Sequence, residues 1–283
     1  MAKILDGKTA AAEVRSEVAS EVAGLKERGV PVRLDVVLVG EDPASVTYVA
    51  SKERDSREVG IESRVHRFPA DVPQEKLSDL VRRLNGDTAV SGFFIQLPLP
   101  EGLDPRPLMS SITPAKDVDG LSPESAGRLA VGLPSLLPCT PHGVIQLLKR
   151  NGVDLIGREA VVVGRSNLVG KPLAQLLLGE NATVTVCHSR TRDLPEVTRR
   201  ADILVVAAGQ REMIGADHVK EGAVVVDVGI HRKDEGGLVG DVRFDEVEPR
   251  AAWISPVPGG VGPMTRAMLL HNTVMAARMG LRS

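Results

Sequence analysis

The sequence predicts an α/β protein of two domains, the second built on a parallel sheet whose strands alternate with helices. Three observations carry that prediction. First, the stretch from Ala160 to Pro172 runs from a β-branched strand through a loop bracketed by Gly164 and Gly170 into a helix with an early proline. Proline tolerates the first helical turn because its missing N–H has no partner there. Second, residues 182–187, 201–209 and 222–229 are short apolar runs separated by polar or helical stretches, the rhythm of strands buried on both faces and joined by crossover helices. Third, the same rhythm occupies residues 32–96, so the chain holds two such domains.

Taken in order, residues 10–25 place Ala11, Val14, Val18, Val22 and Leu25 on one helical stripe. Residues 32–39 form a strand ended by Gly40, and Asp42-Pro43 then offers an N-cap and a first-turn proline. The helix that follows carries Ser45, Tyr48 and Lys52 and stops at Gly60, a common C-terminal residue. Residues 61–68 predict a strand, 74–84 a helix and 89–96 a third strand ending in Gln96. The text from Gly120 to Leu137 is loop-like and punctuated by prolines that read as breakers, and Thr140-Pro141-His142-Gly143 starts a helix to Arg150. A second glycine-rich turn, Gly259-Gly260-Val261-Gly262-Pro263, precedes a closing helix. The expected division is a first domain over 1–120 completed by the helix 264–283, a connecting segment over 121–150, and a second domain over 151–263.

The bulk composition narrows the function. With 35 basic and 37 acidic side chains the net charge is −2, without a basic block, which argues against nucleic acid as a partner. No apolar run approaches the roughly 18 residues of a membrane span, and the N-terminus lacks a signal-peptide core. Cys139 and Cys187 have no metal-ligand spacing, and the six histidines form no close ligand pair. A reduced cytoplasmic protein without a metal is the expectation.

Strand, glycine loop and helix start make an anion site, because bare backbone lets a phosphate approach and helix-end N–H groups point at it. Ser166 stands where the usual fingerprint has its second glycine, and an ordinary strand-to-helix turn explains the loop equally well by itself. The surrounding runs make the second domain Rossmann-type, with ligands expected beyond the carboxyl ends of its strands. Those ends read Gly164-Arg165-Ser166, His188-Ser189-Arg190-Thr191, Ala208-Gly209-Gln210 and Gly229-Ile230. An NAD-binding domain typically carries an acid about 20 positions beyond its loop. Here the second strand continues Cys187-His188-Ser189-Arg190-Thr191-Arg192 with no acid before Asp193, which points to NADP.

Tyr48 and Lys52 lie four apart, hence on one helical face. In isolation they read as a partly buried tyrosine beside a solvated lysine. The similar pair of short-chain dehydrogenases follows the cofactor loop, whereas here it precedes it, so that reading fails on order. Gln96 ends a strand, where α/β sites gather, and Lys116-Asp117-Val118-Asp119-Gly120 reads equally as a turn or as a ligand grip.

Together these segments, with Gln96-Leu97-Pro98-Leu99-Pro100, Pro138-Cys139-Thr140-Pro141, Asp227-Val228-Gly229-Ile230 and Pro258 to Thr265, occur in an order that resembles the bifunctional methylenetetrahydrofolate dehydrogenase/methenyltetrahydrofolate cyclohydrolase family over essentially the whole chain. The resemblance implies oxidation of 5,10-methylenetetrahydrofolate with NADP and hydrolysis of the methenyl product to 10-formyltetrahydrofolate, in a cleft between the domains. It implies Lys52, Gln96, Asp119 and Tyr48 as catalytic positions, with the same four residues and Pro258, Gly259 and Gly260 holding the folate. Gly164, Arg165, Ser166, Gly170, Ser189 and Ile230 are implied at the cofactor. No metal is implied. The resemblance further implies a cytoplasmic homodimer serving purine biosynthesis, and these 283 residues leave no room for the synthetase domain attached to some relatives.

Overall fold

The computed structural model describes residues 1–234 and 236–280. The chain divides into two compact units, a first comprising residues 13–139 and the chain from Arg266 onward, and a second comprising residues 1–12 and 140–265. The expected connecting segment 121–150 is thus split at Cys139, and the opening residues group with the second unit. Pairing explains the latter. The short strand β1 (Lys3–Ile4) lies parallel to a strand near the far end of the chain, with Lys3 opposite Trp253 and Ile4 opposite Ile254. Helix α1 (Gly7–Glu27) follows, its start held by the Asp6 carboxylate, which accepts the N–H groups of Lys8 and Thr9.

In the first unit, β2 (Arg33–Val39) is buried along its whole length because it lies at the centre of a three-stranded sheet. Helix α2 (Pro43–Glu58) leads to β3 (Glu62–Phe68), and α3 (Gln74–Gly86) leads to β4 (Gly92–Ile95). Both outer strands run parallel to β2. Val37, Leu77, Leu80, Phe93, Ile95 and Leu108 form the core on one side of the sheet. Two short helices follow, α4 (Pro105–Ser110) and α5 (Pro123–Ala130). The second corrects the loop expected over 120–137. Ser122 caps α5 by accepting the Ser125 N–H, and Pro123 occupies the first turn, so the residue that looked like a breaker is a helix starter.

In the second unit, α6 (Cys139–Arg150) leads to β5 (Glu159–Val163), α7 (Gly170–Gly179), β6 (Thr183–Cys187), α8 (Leu194–Thr198) and β7 (Ile203–Val206). Strand β8 (Val224–Asp227), the hairpin β9 (His231–Arg232) and β10 (Leu238–Val239), α9 (Phe244–Val247) and β11 (Trp253–Ile254) complete the order. The six-stranded sheet runs β1-β11-β8-β7-β5-β6 with every pairing parallel. The chain leaves β5 for β6 on one side and then crosses to β7 on the other. The direction of winding therefore reverses at β5, and such a switch opens a crevice at the strand's carboxyl end. The last helix, α10 (Val261–Gly280), starts earlier than expected, and residues 281–283 of the predicted helix lie outside the described residues.

Candidate active site

Local capping orients α2. Asp42 accepts the Ser45 N–H at 2.7 Å, Pro43 opens the first turn, and Gly60 takes a φ of +81° past the end. The face so presented inward carries Ser45, Val49, Lys52, Asp55 and Ser56. One turn apart on this helix, Tyr48 is 43% exposed and Lys52 only 9%. The Lys52 Nζ donates to Gln96 Oε1 at 3.2 Å and lies 3.9 Å from the centroid of the Phe94 ring. Gln96 extends the ladder of β4 by donating its N–H to Val37 O, and its Nε2 donates to Leu97 O at 2.7 Å. With its amide nitrogen engaged, its oxygen is left for the lysine. Burial holds the Lys52 amine below its ordinary basicity, against the opposing charge of Asp119.

The Lys116-to-Gly120 motif separates into scaffold and site. Lys116 Nζ donates to Leu84 O at 2.8 Å and Asp87 O at 2.7 Å, closing the end of α3. Asp117 is buried and accepts the Ser122 N–H at 2.8 Å and the Ser125 hydroxyl at 2.7 Å, so it anchors the start of α5. Gly120 has a φ of +66°, and a Cβ there would meet Leu137 C at 2.5 Å, so no other residue fits. The turn reading therefore describes Asp117, while Asp119 remains half-buried and near enough to Lys52 for each to feel the other's charge. Burial raises the Asp119 carboxyl above the usual range, and the Lys52 ammonium resists that rise. Burial favours the neutral forms of both groups and their mutual attraction favours the charged pair.

Two residues without a role in the sequence reading fix this loop. Asn272 on α10 donates through Nδ2 to Val118 O at 2.8 Å and to Leu137 O at 2.7 Å. The Cys139 thiol donates to Val118 O at 3.3 Å, and burial pushes its acidity well away from thiolate formation. The Pro138-to-Pro141 motif held the signal for Cys139, whereas nothing local distinguishes Asn272 within an apolar helix.

In the second unit, the loop after β5 is built on close backbone approach. Gly164 has a φ of +126° and a Cβ on it would meet Ala207 O at 2.1 Å, while one on Gly170 would meet Gly164 O at 2.1 Å. Both glycines are thus required by packing behind the loop, and Arg165, Ser166, Asn167 and Leu168 are exposed in front of it. Gly164 donates its N–H to Cys187 O at 2.8 Å, so the turn after β6 begins beside the loop. There His188 N–H donates to Thr191 Oγ1 and Arg190 N–H to His188 Nδ1, and Ser189, Arg190 and Arg192 face solvent. A glycine cradle flanked by hydroxyls and guanidinium groups suits the phosphates of NADP. Ile230 is 48% exposed just beyond β8. Pro258, Gly259 and Gly260 belong to this second unit, while Tyr48, Lys52, Gln96 and Asp119 belong to the first. Gly260 donates to Pro256 O at 2.9 Å, and a Cβ on Gly7 would meet its carbonyl oxygen at 1.7 Å, so this turn packs against the start of α1.

Family comparison accounts for both units. The catalytic-domain model of tetrahydrofolate dehydrogenase/cyclohydrolase matches residues 5–119, and the NAD(P)-binding-domain model of the same family matches residues 138–280. The chain belongs to this family. It is 76% identical over 279 residues to the bifunctional protein FolD 1 of Rubrobacter xylanophilus, covering 99% of this chain and 98% of that protein. Its structure superposes on the bifunctional dehydrogenase/cyclohydrolase FolD of Campylobacter jejuni with a TM-score of 0.97 at 47% identity, over 99% of each chain. The Trypanosoma brucei enzyme, solved with NADP cofactor and an inhibitor, gives a TM-score of 0.94 at 40% identity over 100% of this chain and 99% of that one. As in the family, the dinucleotide-binding domain is the second. Among the described residues no group of His, Cys, Asp or Glu is placed to hold a metal, and no helix is long and apolar enough to cross a membrane.

Proposed function

We propose that the protein oxidises 5,10-methylenetetrahydrofolate to 5,10-methenyltetrahydrofolate with NADP and hydrolyses the product to 10-formyltetrahydrofolate. Membership of the bifunctional family supports the pair of reactions. The observation that carries the chemistry is a buried lysine amine held by Gln96 within the electrostatic influence of Asp119.

Bound NADP supplies the hydride acceptor. The chain's own residues do the rest. Asp119 accepts N–H groups of the pterin edge, and Tyr48, exposed one turn before Lys52, offers its ring as a stacking face. Gln96 orients the Lys52 amine without adding charge. Removal of hydride leaves a methenyl cation, and water attacks it. A cation nearby disfavours the ammonium form further, and burial already does so, so neutral Lys52 takes the proton that the attacking water must lose. Pro258, Gly259 and Gly260 contribute to the folate site, and Gly164, Arg165, Ser166, Gly170, Ser189 and Ile230 to the cofactor site. The lack of an acid between β6 and Asp193 and the exposure of Arg165, Ser189 and Arg190 favour the 2′-phosphate of NADP over a bare ribose. The reading includes a cytoplasmic homodimer whose 10-formyl product feeds purine biosynthesis, with no nucleic acid or membrane partner, on family resemblance and charge alone.

The test follows methenyl absorbance with purified protein and each nicotinamide cofactor, then supplies methenyltetrahydrofolate directly. Transient methenyl formation with NADP, followed by decay above the uncatalysed rate, is the expected result. Equal efficiency with NAD would overturn the cofactor preference, and accumulation of methenyltetrahydrofolate without decay would overturn the hydrolase half.

A further inference from the structure

Beyond the residues assigned to the two ligands, the second unit contains a pair of buried carboxylates that hold together the loops at the carboxyl ends of two neighbouring strands. Asp241, fully buried, lies in the segment between β10 and α9. Its Oδ2 accepts the N–H groups of Ala208 at 2.7 Å and Gly209 at 2.9 Å, the backbone that leaves β7. Its Oδ1 lies 2.7 Å from Nε2 of His231, next to Ile230 beyond β8. One side chain therefore ties the exit of β7 to the exit of β8. Asp241 is itself held: Asp227, the last residue of β8, accepts the N–H groups of Asp241 at 3.0 Å, Val242 at 2.9 Å and Gly229 at 2.9 Å. No room remains around the pair. A Cβ on Gly229 would meet Asp241 Oδ1 at 2.4 Å, and one on Gly240 would meet Asp227 Oδ2 at 1.8 Å.

The clamp is connected to the glycine loop. Ala207, one residue before the clamped Ala208, is the residue whose carbonyl oxygen touches the α-carbon side of Gly164. Displacement of the β7 exit would move the support behind the loop, and displacement of His231 would move Ile230. Both groups lie on the sheet's ligand-bearing edge.

We propose that Asp241, gripping Ala208, Gly209 and His231, is the positioning residue that sets the cofactor-binding face of this enzyme. The proposal rests on the dinucleotide reading of the second unit. Asp241 is fully buried with both carboxylate oxygens engaged and acts by holding two loops in register, so its loss weakens NADP binding while sparing the hydrolysis carried by Lys52 in the first unit. Stably formed, charge-assisted hydrogen bonds to a buried carboxylate are strong enough for that task.

The experiment uses the full chain with Asp241→Asn, His231→Ala and His231→Gln. For each variant, NADP binding is measured by titration calorimetry, the dehydrogenase by KM and kcat at varied NADP, and hydrolysis with methenyltetrahydrofolate supplied directly. Asp241→Asn and His231→Ala should raise the NADP Kd and KM by about tenfold or more, the scale of one lost charge-assisted hydrogen bond. The kcat at saturating NADP and the hydrolysis rate should stay within about twofold. His231→Gln, whose amide can still donate to Oδ1, should recover most of the affinity. Should Asp241→Asn fail to fold, the two His231 variants decide. Unchanged NADP affinity in folded His231→Ala, or hydrolysis falling in step with affinity, overturns the proposal. A wild-type protein that binds no NADP in the calorimeter removes the underlying reading instead, a result distinct from either.

Discussion

Burial, which leaves Lys52 with 9% of its surface exposed, poises its amine to lose a proton more readily than a solvated lysine, against the charge of Asp119 and the Phe94 ring, which favour the ammonium. Substitution Lys52→Met keeps most of the packing and removes the amine. Hydrolysis of supplied methenyltetrahydrofolate should then fall by about a hundred- to ten-thousandfold, the usual worth of general acid–base help. The dehydrogenase should fall less, because hydride transfer depends mainly on positioning shared by many contacts. Wild-type hydrolysis in the folded variant would show that Lys52 is not the base. The pH profile carries the same signature. Since only the neutral amine accepts a proton, the hydrolysis rate should rise with pH along a limb whose midpoint lies below the ordinary lysine range, and this limb should vanish in Lys52→Met. Asp119→Ala, by contrast, should impair both reactions while leaving NADP binding intact, measured by calorimetry. At this scale the sequence carried Lys52, Gln96 and Asp119 because each stands in a short motif whose residue types already suggest polar chemistry. Residue type and spacing alone do not separate Asp117 from Asp119, which only the family resemblance singles out, since both are acids in one turn; the fold supplies the physical reason, with the first used up on Ser122 and Ser125.

Elements differ in how openly their residues announce them. The strand–glycine loop–helix unit was readable because Gly164 and Gly170 answer to the same close approach that made the pattern recognisable. The exposed guanidinium and hydroxyl beside it carry a prediction: changing Arg165 and Ser189 together to alanine should weaken NADP binding while altering NAD binding much less, read from the two dissociation constants. Equal loss for both cofactors would mean that neither residue reads the 2′-phosphate. Helix α5 was hidden because its proline looked like punctuation, and β1 because a two-residue strand has no periodicity to detect. Helix α10 was legible as a helix but not as a support. Its Asn272 holds two carbonyl oxygens more than a hundred residues away in sequence, a relation that composition and spacing do not encode. Asn272→Ala should leave Val118 O and Leu137 O short of a donor inside the first unit, at a cost of about 2–4 kcal/mol. Thermal unfolding would register that cost, and the folate KM should rise with it as the Asp119 loop loosens. A destabilised variant with an unchanged folate KM would show that the loop keeps its shape without the clamp.

At the scale of the molecule, one buried acid of the second unit, Asp227, links its stability to pH. Burial pushes the Asp227 carboxyl up from its ordinary 3.8 to about 6, against the lowering effect of its backbone N–H donors. An acid whose pKa is higher in the fold than in the unfolded chain binds its proton more tightly when folded, so it stabilises when protonated. Its contribution is complete below 3.8 and is lost as the pH climbs through about 6. A shift of that size is worth on the order of 3 kcal/mol. The sign runs opposite to that of a salt-bridged carboxylate, which stabilises at neutral pH and fails in acid. Asp227→Asn isolates the effect, because asparagine does not titrate. Whatever constant cost the amide brings by facing the same N–H donors, it drops out of the pH dependence of the difference between the two proteins. Denaturant unfolding from pH 4 to pH 7 should therefore show the wild type losing stability relative to Asp227→Asn as pH rises, with most of the change complete just above pH 6. A wild type that instead gains stability relative to Asp227→Asn as pH rises would mean that the three N–H groups outweigh desolvation and that Asp227 is held ionised. That outcome would leave the clamp through Asp241 in place while reversing the reason the fold tolerates two carboxylates side by side.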